Sequence, residues 1–502
     1  MRVSRAALAA VTLAAAAAPA ADPRQAVAAA PPPIVVVVFD ELPTSSLVTE
    51  QQTINADRFP SFARLGRQAT WYRNATTVAD NTLAAVPAIL TGRRPGLVNP
   101  LPSRSSQNLF TLVRGTHRIH ALEPYTRLCP PGVCDHATRA RRSALPSVTG
   151  ATNALRRLRA GLRLVRSIRG GGRPPLYFLH VVVPHVPWQF LPSGHRYPIA
   201  GKRLPGIHGK RWGTDPFRLR QAMQRHLLQV GYADRILGDV MRGLRRSGLW
   251  NRAMVIVTAD HGMSIRPRGN RRRVEAQNFA EIAGVPLFVK RPRRSGGGVS
   301  DVPARTIDIV PTISRMLGDP FGRRFDGVPL GTPQGAPMLS VRNAFRHALV
   351  SQPAARLAVG RAAVVRRWTT LFPGGWPSVL GSTPSHPLIG TAARRRPRTT
   401  AGCGRAAVHD HGYARVAPAT GILPVFVEGR VTGCDRAPRH LAVAVDGRIR
   451  AVARTYRAGG RERFSALVPA WTLRRGRHAV AVYGIGADGT LRAMGATGRG
   501  PR

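Results

Sequence analysis

Ile34 to Phe39 is an unbroken apolar run of β-branched and aromatic residues that stops at Asp40. A strand with apolar side chains on both faces has to be covered on both, which predicts a parallel strand inside an α/β sheet. Two further runs follow. Tyr177 to Val183 leads into Pro184-His185-Val186-Pro187-Trp188, and Val255 to Thr258 leads to Asp260-His261-Gly262. Between them, Gln221 to Arg246 repeats apolar residues at three- and four-residue intervals, the period of a helix with one buried stripe. Alternating strands and helices predict a sheet sandwiched by helices, in which ligands sit beyond the carboxyl ends of the strands. Asp40, His185, Asp260 and His261 all fall at such ends.

The pattern changes near Arg346. Pro, Gly and Arg interrupt every period as far as about residue 415, which suggests a connector. Short alternating runs then return, with Asp446-Gly447 between two of them, the signature of a hairpin-built β-sandwich. The expected organisation is a signal peptide and spacer at 1–30, an α/β catalytic domain at 31–345, a connector at 346–415 and a small β-rich domain at 416–502.

Composition adds a setting to this outline. Met1 to Ala20 has a basic start, an alanine-rich apolar stretch and an A-x-A-like end, which reads as a secretory signal. Four cysteines, two of them close together at Cys129 and Cys134 and two at Cys403 and Cys434, suit two disulfides in an oxidising compartment. A secreted or extracytoplasmic protein associated with the cell envelope is expected. The net charge is +52, carried almost wholly by arginine, since Lys202, Lys210 and Lys290 are the only lysines. That excess predicts anionic surroundings, such as an envelope lipid or acidic polymer as substrate, and peripheral contact with membrane or wall. The bases are scattered and form no recognition module, so no nucleic-acid partner is expected.

A site that transfers a phosphoryl or sulfuryl group needs a metal on hard ligands and an alcohol nucleophile activated by it. Asp40, Asp260 and His261 supply the first. Thr82, where a loop enters the helical run DNTLAAVPAILTG, supplies the second, because helix amide groups favour an alkoxide and an anionic ester. Thr82 also has the simpler reading of a helix N-cap.

VVVVFDEL, FPSFARLGRQATWYRNAT, the Thr82 segment ending in Thr91-Gly92-Arg93, PHVPW and VIVTADHG, in that order, resemble the sulfatase-like branch of the alkaline-phosphatase superfamily. Asn278 to Lys290 and Thr306 to Leu317 extend the likeness over roughly residues 33–335. The resemblance implies that superfamily's mixed sheet sandwiched by helices. It also implies one divalent metal on Asp40, Thr82, Asp260 and His261, with Zn²⁺ or Mn²⁺ favoured over Ca²⁺ and Mg²⁺ by the mixed oxygen and nitrogen donors. Thr82 would attack, and His185, with His180 as a second candidate, would bind the anion or protonate the leaving oxygen. Formylglycine sulfatases place an oxidisable Cys or Ser nine residues before Thr-Gly, where this chain has Thr82, with Ala84 and Val86 in place of the motif's Pro and Arg. The local pattern is more similar to phosphoethanolamine and phosphoglycerol transferases, which transfer phosphorus through Thr.

The expected function is thus a hydrolase or transferase of phosphate or sulfate esters. A true sulfuric ester hydrolase and a non-catalytic envelope-tethering protein are the alternatives. Glu41 is expected beside the ligands rather than among them. Asn278, Lys290 and the His409-Asp410-His411 triplet read as structural or solvated residues, Asp234 lacks the histidine of a second metal set, and Arg266 to Arg273 read as a solvated face at least as readily as an anion trap.

Overall fold

The computed structural model describes residues 30–96, 107–135, 151–198, 206–318, 321–322, 324–335, 338–380, 387–393, 398–399, 404–409, 412–434 and 437–496. The expected signal and spacer, all but Ala30, lies outside them, as do Cys403, Asp410 and His411.

Among the described residues, eight strands form the central sheet: β1 (Ile34–Asp40), β2 (Thr70–Tyr72), β3 (Arg118–Leu122), β4 (Cys134–Asp135), β5 (Pro175–Pro184), β6 (Met254–Ala259), β7 (Leu287–Lys290) and β8 (Gly298–Ser300). Their spatial order is β8-β2-β7-β6-β1-β5-β3-β4. β1 has β5 and β6 on either side, both parallel to it, and β7 runs antiparallel to β6, so the sheet is mixed. The three apolar runs are thus the three central strands. Every residue of β1, β5 and β6 is buried, which is why their hydrophobicity is continuous rather than alternating.

The helices that cover this sheet include α1 (Thr82–Thr91), α2 (Ala151–Arg166), α3 (Pro216–Arg246) and α4 (Ile309–Met316). Strand alternation assigns them to faces. Val35, Val37 and Phe39 join a core with Leu158 and Val165 of α2 and the stripe from Leu219 to Leu244 of α3. Ile34, Val36 and Val38 join a second core with Val86, Ile89 and Leu90 of α1 and Ile309, Val310 and Ile313 of α4. α3 begins before the expected Gln221, because Asp215 caps it by accepting from Phe217 N at 2.9 Å and Pro216 occupies its first turn.

The segment expected as a connector is structured over much of its length. A hairpin pairs Met338–Asn343 with Ala348–Pro353, and helix α5 spans Ala355–Leu371. Its period is hard to see in the sequence because α5 buries Arg361 and leaves Val359 71% exposed. The Arg361 guanidinium donates to Gln52 Oε1 (2.7 Å), the Arg73 carbonyl (2.8 Å) and Asn74 Oδ1 (3.1 Å), which offsets its burial.

Among the described residues, two five-stranded sheets make up the C-terminal part, and their strands Arg398–Thr399 and Arg405–Val408 precede the expected boundary at 416. This part is fastened to α3. Gln221 donates to the Ser465 carbonyl at 2.7 Å, and the Arg225 guanidinium pairs with Glu428 while lying 3.9 Å above the Phe426 ring. Both charges are buried, so removing one strands the other. Glu428→Ala is expected to cost about 3–5 kcal/mol of unfolding free energy, and replacing both partners by apolar residues to recover most of it, read from urea melts.

Cys129 and Cys134 are joined, with Cα atoms 6.3 Å apart. Among the described residues no helix is long and apolar enough to cross a membrane.

Candidate active site

β1 and β6 end together. The register of β1 against β5 slips between Phe39 and Asp40, which brings Asp40 opposite Pro184, and Asp260 N donates to the Phe39 carbonyl at 3.0 Å. The chain then turns sharply: Glu41 takes φ 63°, a left-handed conformation that is costly for a residue with a side chain. Asp260 Oδ1 holds that turn by accepting from Glu41 N (3.2 Å) and His261 N (2.7 Å). Gly262 follows because nothing larger fits, since a Cβ there would lie 2.1 Å from the Glu281 carbonyl oxygen.

Asp40, Asp260 and His261 are buried, and one ligand atom from each lies within 4.8 Å of the others. His261 Nδ1 is 2.9 Å from the Gly262 carbonyl, so it carries the proton and leaves the lone pair on Nε2, the form that binds metals. Asp40 Oδ1 and Asp260 Oδ2 are buried with no hydrogen-bond donor. Burial, then the neighbouring charges of Asp260 and Glu41, pushes the Asp40 carboxyl well above its usual range. Orphaned carboxylate oxygens beside an imidazole lone pair fit a divalent cation.

His180 and His185 take different places. His180 is fully buried within β5, and its Nε2 lies 3.9 Å from both Asp40 Oδ2 and Asp260 Oδ2, too far for a hydrogen bond. Burial lowers its pKa to about 4, so it packs behind the carboxylates as a neutral ring. His185, after β5, turns Nδ1 to the Val186 carbonyl (2.6 Å) and Nε2 toward Glu41 Oε1 (3.5 Å). Burial, despite the pull of Glu41, lowers it to about 4 as well, so at neutral pH it is a base awaiting a proton rather than a ready acid.

The arginines weighed as a solvated face include two that belong to the site. Arg271 Nη1 pairs with Glu41 Oε2 at 2.5 Å. Arg272 Nε lies 3.1 Å from Glu41 Oε1, its Nη2 3.2 Å from His261 Nε2 and its Nη1 3.5 Å from His185 Nε2. Burial alone would raise the Glu41 carboxyl, but Arg271, His185 and Arg272 hold it well below the usual carboxylate range. The loop is fixed by Asn270 Oδ1, which accepts from Arg272 N (3.0 Å) and Arg273 N (2.9 Å), and by Asn278, whose amide donates to the Arg273 carbonyl at 2.9 Å. Asn278 is therefore a brace for this loop.

Thr82 opens α1 but does not cap it. Asn81 is the cap, its side chain accepting from Ala84 N at 3.2 Å, and the Thr82 hydroxyl has no hydrogen bond among the described residues. The loop before it is tied to the arginine loop by Asp80, whose Oδ2 accepts from Val274 N (3.1 Å) and Oδ1 from Ala344 N (3.0 Å). Gly92 ends α1 in the left-handed conformation, φ 66°, which accounts for the Thr91-Gly92 pair.

Lys290 and Asp234 are structural. The Lys290 ammonium donates to the carbonyls of Asn251, Ala253 and Arg291, and Asp234 Oδ1 accepts from Ser61 N and Phe62 N at the start of the helix Pro60–Gly66.

Residues 156–319, about a third of the chain, match the Sulfatase family model. The match includes His180, His185, Asp260 and His261, while Asp40 and Thr82 precede it. Among curated proteins, the chain is 28% identical over 130 residues to the multifunctional alkaline phosphatase superfamily protein PehA of Trinickia caryophylli, covering 25% of each chain. It is 32% identical over 87 residues to arylsulfatase K of Danio rerio, covering 17% of this chain and 16% of that one. These matches span a quarter or less of the relatives' own length. Among solved structures, the phosphonate monoester hydrolase SpPMH from Silicibacter pomeroyi aligns with a TM-score of 0.43 at 15% identity, over 62% of this chain and 80% of that one. Residues 156–319 are thus a sulfatase-family segment, in a chain with homologues in the alkaline-phosphatase superfamily.

Proposed function

We propose that this protein is a metal-dependent hydrolase of phosphate or sulfate esters, with phosphate esters as its main substrates and Thr82 as covalent nucleophile. The observation that carries this reading is the convergence at the strand ends of Asp40, Asp260 and His261, with donor atoms within 4.8 Å and carboxylate oxygens left without donors. A divalent cation held there would make a nearby hydroxyl easier to ionise, and would turn a pocket of three carboxylates and two guanidinium groups from net negative to net positive.

The chain's own groups do the rest. The uncommitted Thr82 hydroxyl forms the new bond to phosphorus or sulfur, with the α1 amides favouring its ionised form. His185 Nε2 accepts the proton that this hydroxyl gives up and delivers it to the departing alcohol oxygen. Water then releases the ester of Thr82, with an acceptor alcohol taking water's place if the reaction is a transfer. The net charge of +52 supports anionic envelope lipids or polymers as the setting.

A sulfate ester is the second reading, favoured by the family description and by arylsulfatase K among the relatives. Thr82, Ala84 and Val86 weigh against it, because they leave no residue for conversion to formylglycine. Aryl phosphodiester, phosphomonoester and sulfate substrates, each with Mn²⁺, Zn²⁺ or chelator, separate the two. The expected result is chelator-sensitive turnover of phosphate esters. Turnover of sulfate alone would select the second reading, and no turnover on any substrate would contradict both.

A further inference from the structure

We propose that the amino-terminal end of the central sheet carries a second anion site, built around Arg114 and Arg173, that takes a phosphate group borne on a larger molecule, either a soluble phosphate ester or a lipid headgroup. This site is separate from the ester chemistry. Arg118, on its wall, opens β3 and pairs in register with Pro175, the first residue of β5, whereas Asp40 stands opposite Pro184, the last. The length of β1, Ile34 to Asp40, sets the two ends of the sheet about 20 Å apart.

A cavity of about 600 Å³ opens there, with no carboxylate among its described lining residues. That volume is the size of a small-molecule pocket and far exceeds a lone phosphate ion, so it suits an anion attached to a larger group. The Arg173 guanidinium donates from Nη2 to the Arg114 carbonyl at 3.0 Å and to the Gly115 carbonyl, contacts that orient it without neutralising its charge. Neither Arg114 nor Arg173 pairs with a carboxylate among the described residues, and Arg118 adds a third positive charge to the wall. Cations gathered in this way repel one another. A tetrahedral anion between them removes the repulsion and offers each planar guanidinium two oxygens.

The walls are held in place from behind. His117 Nε2 donates to the Pro32 carbonyl (3.1 Å) and its Nδ1 accepts from the Thr116 hydroxyl (2.9 Å), while burial keeps it below its ordinary pKa and neutral. The turn before Arg173 is pinned by the Tyr177 hydroxyl, which accepts from Arg169 N at 2.9 Å. Gly171 and Gly172, at φ 124° and 59°, then bend the chain as few other residues could. Val133 lies in the loop that the Cys129–Cys134 disulfide closes. A site fixed on three sides loses little entropy on binding.

The test uses the full chain stripped of metal by chelator, so that the catalytic pocket is net negative and takes up no anion, in about 0.15 M salt to screen remote arginines. Equilibrium dialysis reads the binding of radiolabelled glycerol phosphate to wild type, Arg114→Glu, Val133→Trp and Arg356→Glu. Val133→Trp fills the cavity at constant charge, and Arg356, exposed on α5, controls for bulk charge. Arg114→Glu is expected to weaken binding about 10- to 100-fold, Val133→Trp to weaken it about tenfold or more, and Arg356→Glu to change it less than about twofold. No saturable binding to wild type overturns the assignment, as does undiminished binding in Arg114→Glu or an equal loss in Arg356→Glu. Should Arg114→Glu fail to fold, Val133→Trp decides, since undiminished binding there would equally contradict a site in this cavity. Monomeric dihexanoyl phosphatidylglycerol then separates the sources: tighter binding than glycerol phosphate assigns the site to a lipid headgroup, and weaker binding to a soluble ester. No turnover is read and no metal is present, so failure here leaves the hydrolase reading standing, and failure of that reading leaves this site standing.

Discussion

Thr82→Ala is expected to lower turnover of the preferred ester by on the order of 10⁴-fold or more, with metal affinity and melting temperature changed little. The size follows from the covalent role, and the small structural cost from the helix end. Asn81, not Thr82, caps α1 by accepting from Ala84 N, and alanine is at least as good a helix former as threonine. Thr82→Ser should keep a measurable fraction of the rate because it keeps a hydroxyl. A fall of less than tenfold in Thr82→Ala, measured at saturating substrate on protein of confirmed metal content, would remove Thr82 from the mechanism.

Asp40→Asn is expected to do two opposite things. It should abolish the thermal shift that Mn²⁺ or Zn²⁺ gives the wild type, because a cation ligand is gone, and it should raise the melting temperature of the metal-free protein. The second effect comes from three carboxyl groups in one buried site. Burial first, then Asp260 and Glu41, holds the Asp40 carboxyl well above its unfolded value. A carboxyl raised in the folded state has its full stability below the unfolded pKa and loses stability as pH rises toward the folded one. The uncharged amide escapes that loss, so metal-free Asp40→Asn should melt above wild type at pH 7.5 and converge with it near pH 4. Equal or lower melting temperature at pH 7.5 would show that the carboxylates are not strained against one another. Such a gain on removing a functional group is what a site built for ligand rather than for stability produces.

The parts of this site that are legible in the sequence share one property: they sit next to a run whose period is itself informative. Ile34 to Phe39, Tyr177 to Val183 and Val255 to Thr258 must be central strands because only burial on both faces permits such runs, and the polar residue after each is therefore at a carboxyl end. Arg272 carries no such marker. A guanidinium in an ion pair and one in solvent look alike along a chain with this much arginine, and what distinguishes Arg271 is a partner, Glu41, 230 residues away. The same holds for α5, where a buried Arg361 and an exposed Val359 reverse the expected pattern through contacts with residues near Gln52 and Arg73. Capping shows a third limit. Asn81 and Thr82 are both good N-cap residues, and only the bond from Ala84 N assigns the role to the first and leaves the hydroxyl of the second uncommitted.

In the proposed reaction an ester group passes through a covalent bond to Thr82. The most direct measurement is rapid acid quench of metal-loaded protein during turnover of an aryl phosphodiester, followed by digestion and mass spectrometry of the peptide that contains Thr82. A substrate-derived phosphoryl adduct on Thr82 is expected, missing when chelator is present and when Thr82→Ala is used. Steady turnover at rates where an adduct would accumulate, with the peptide unmodified and Thr82→Ala still active, would contradict it.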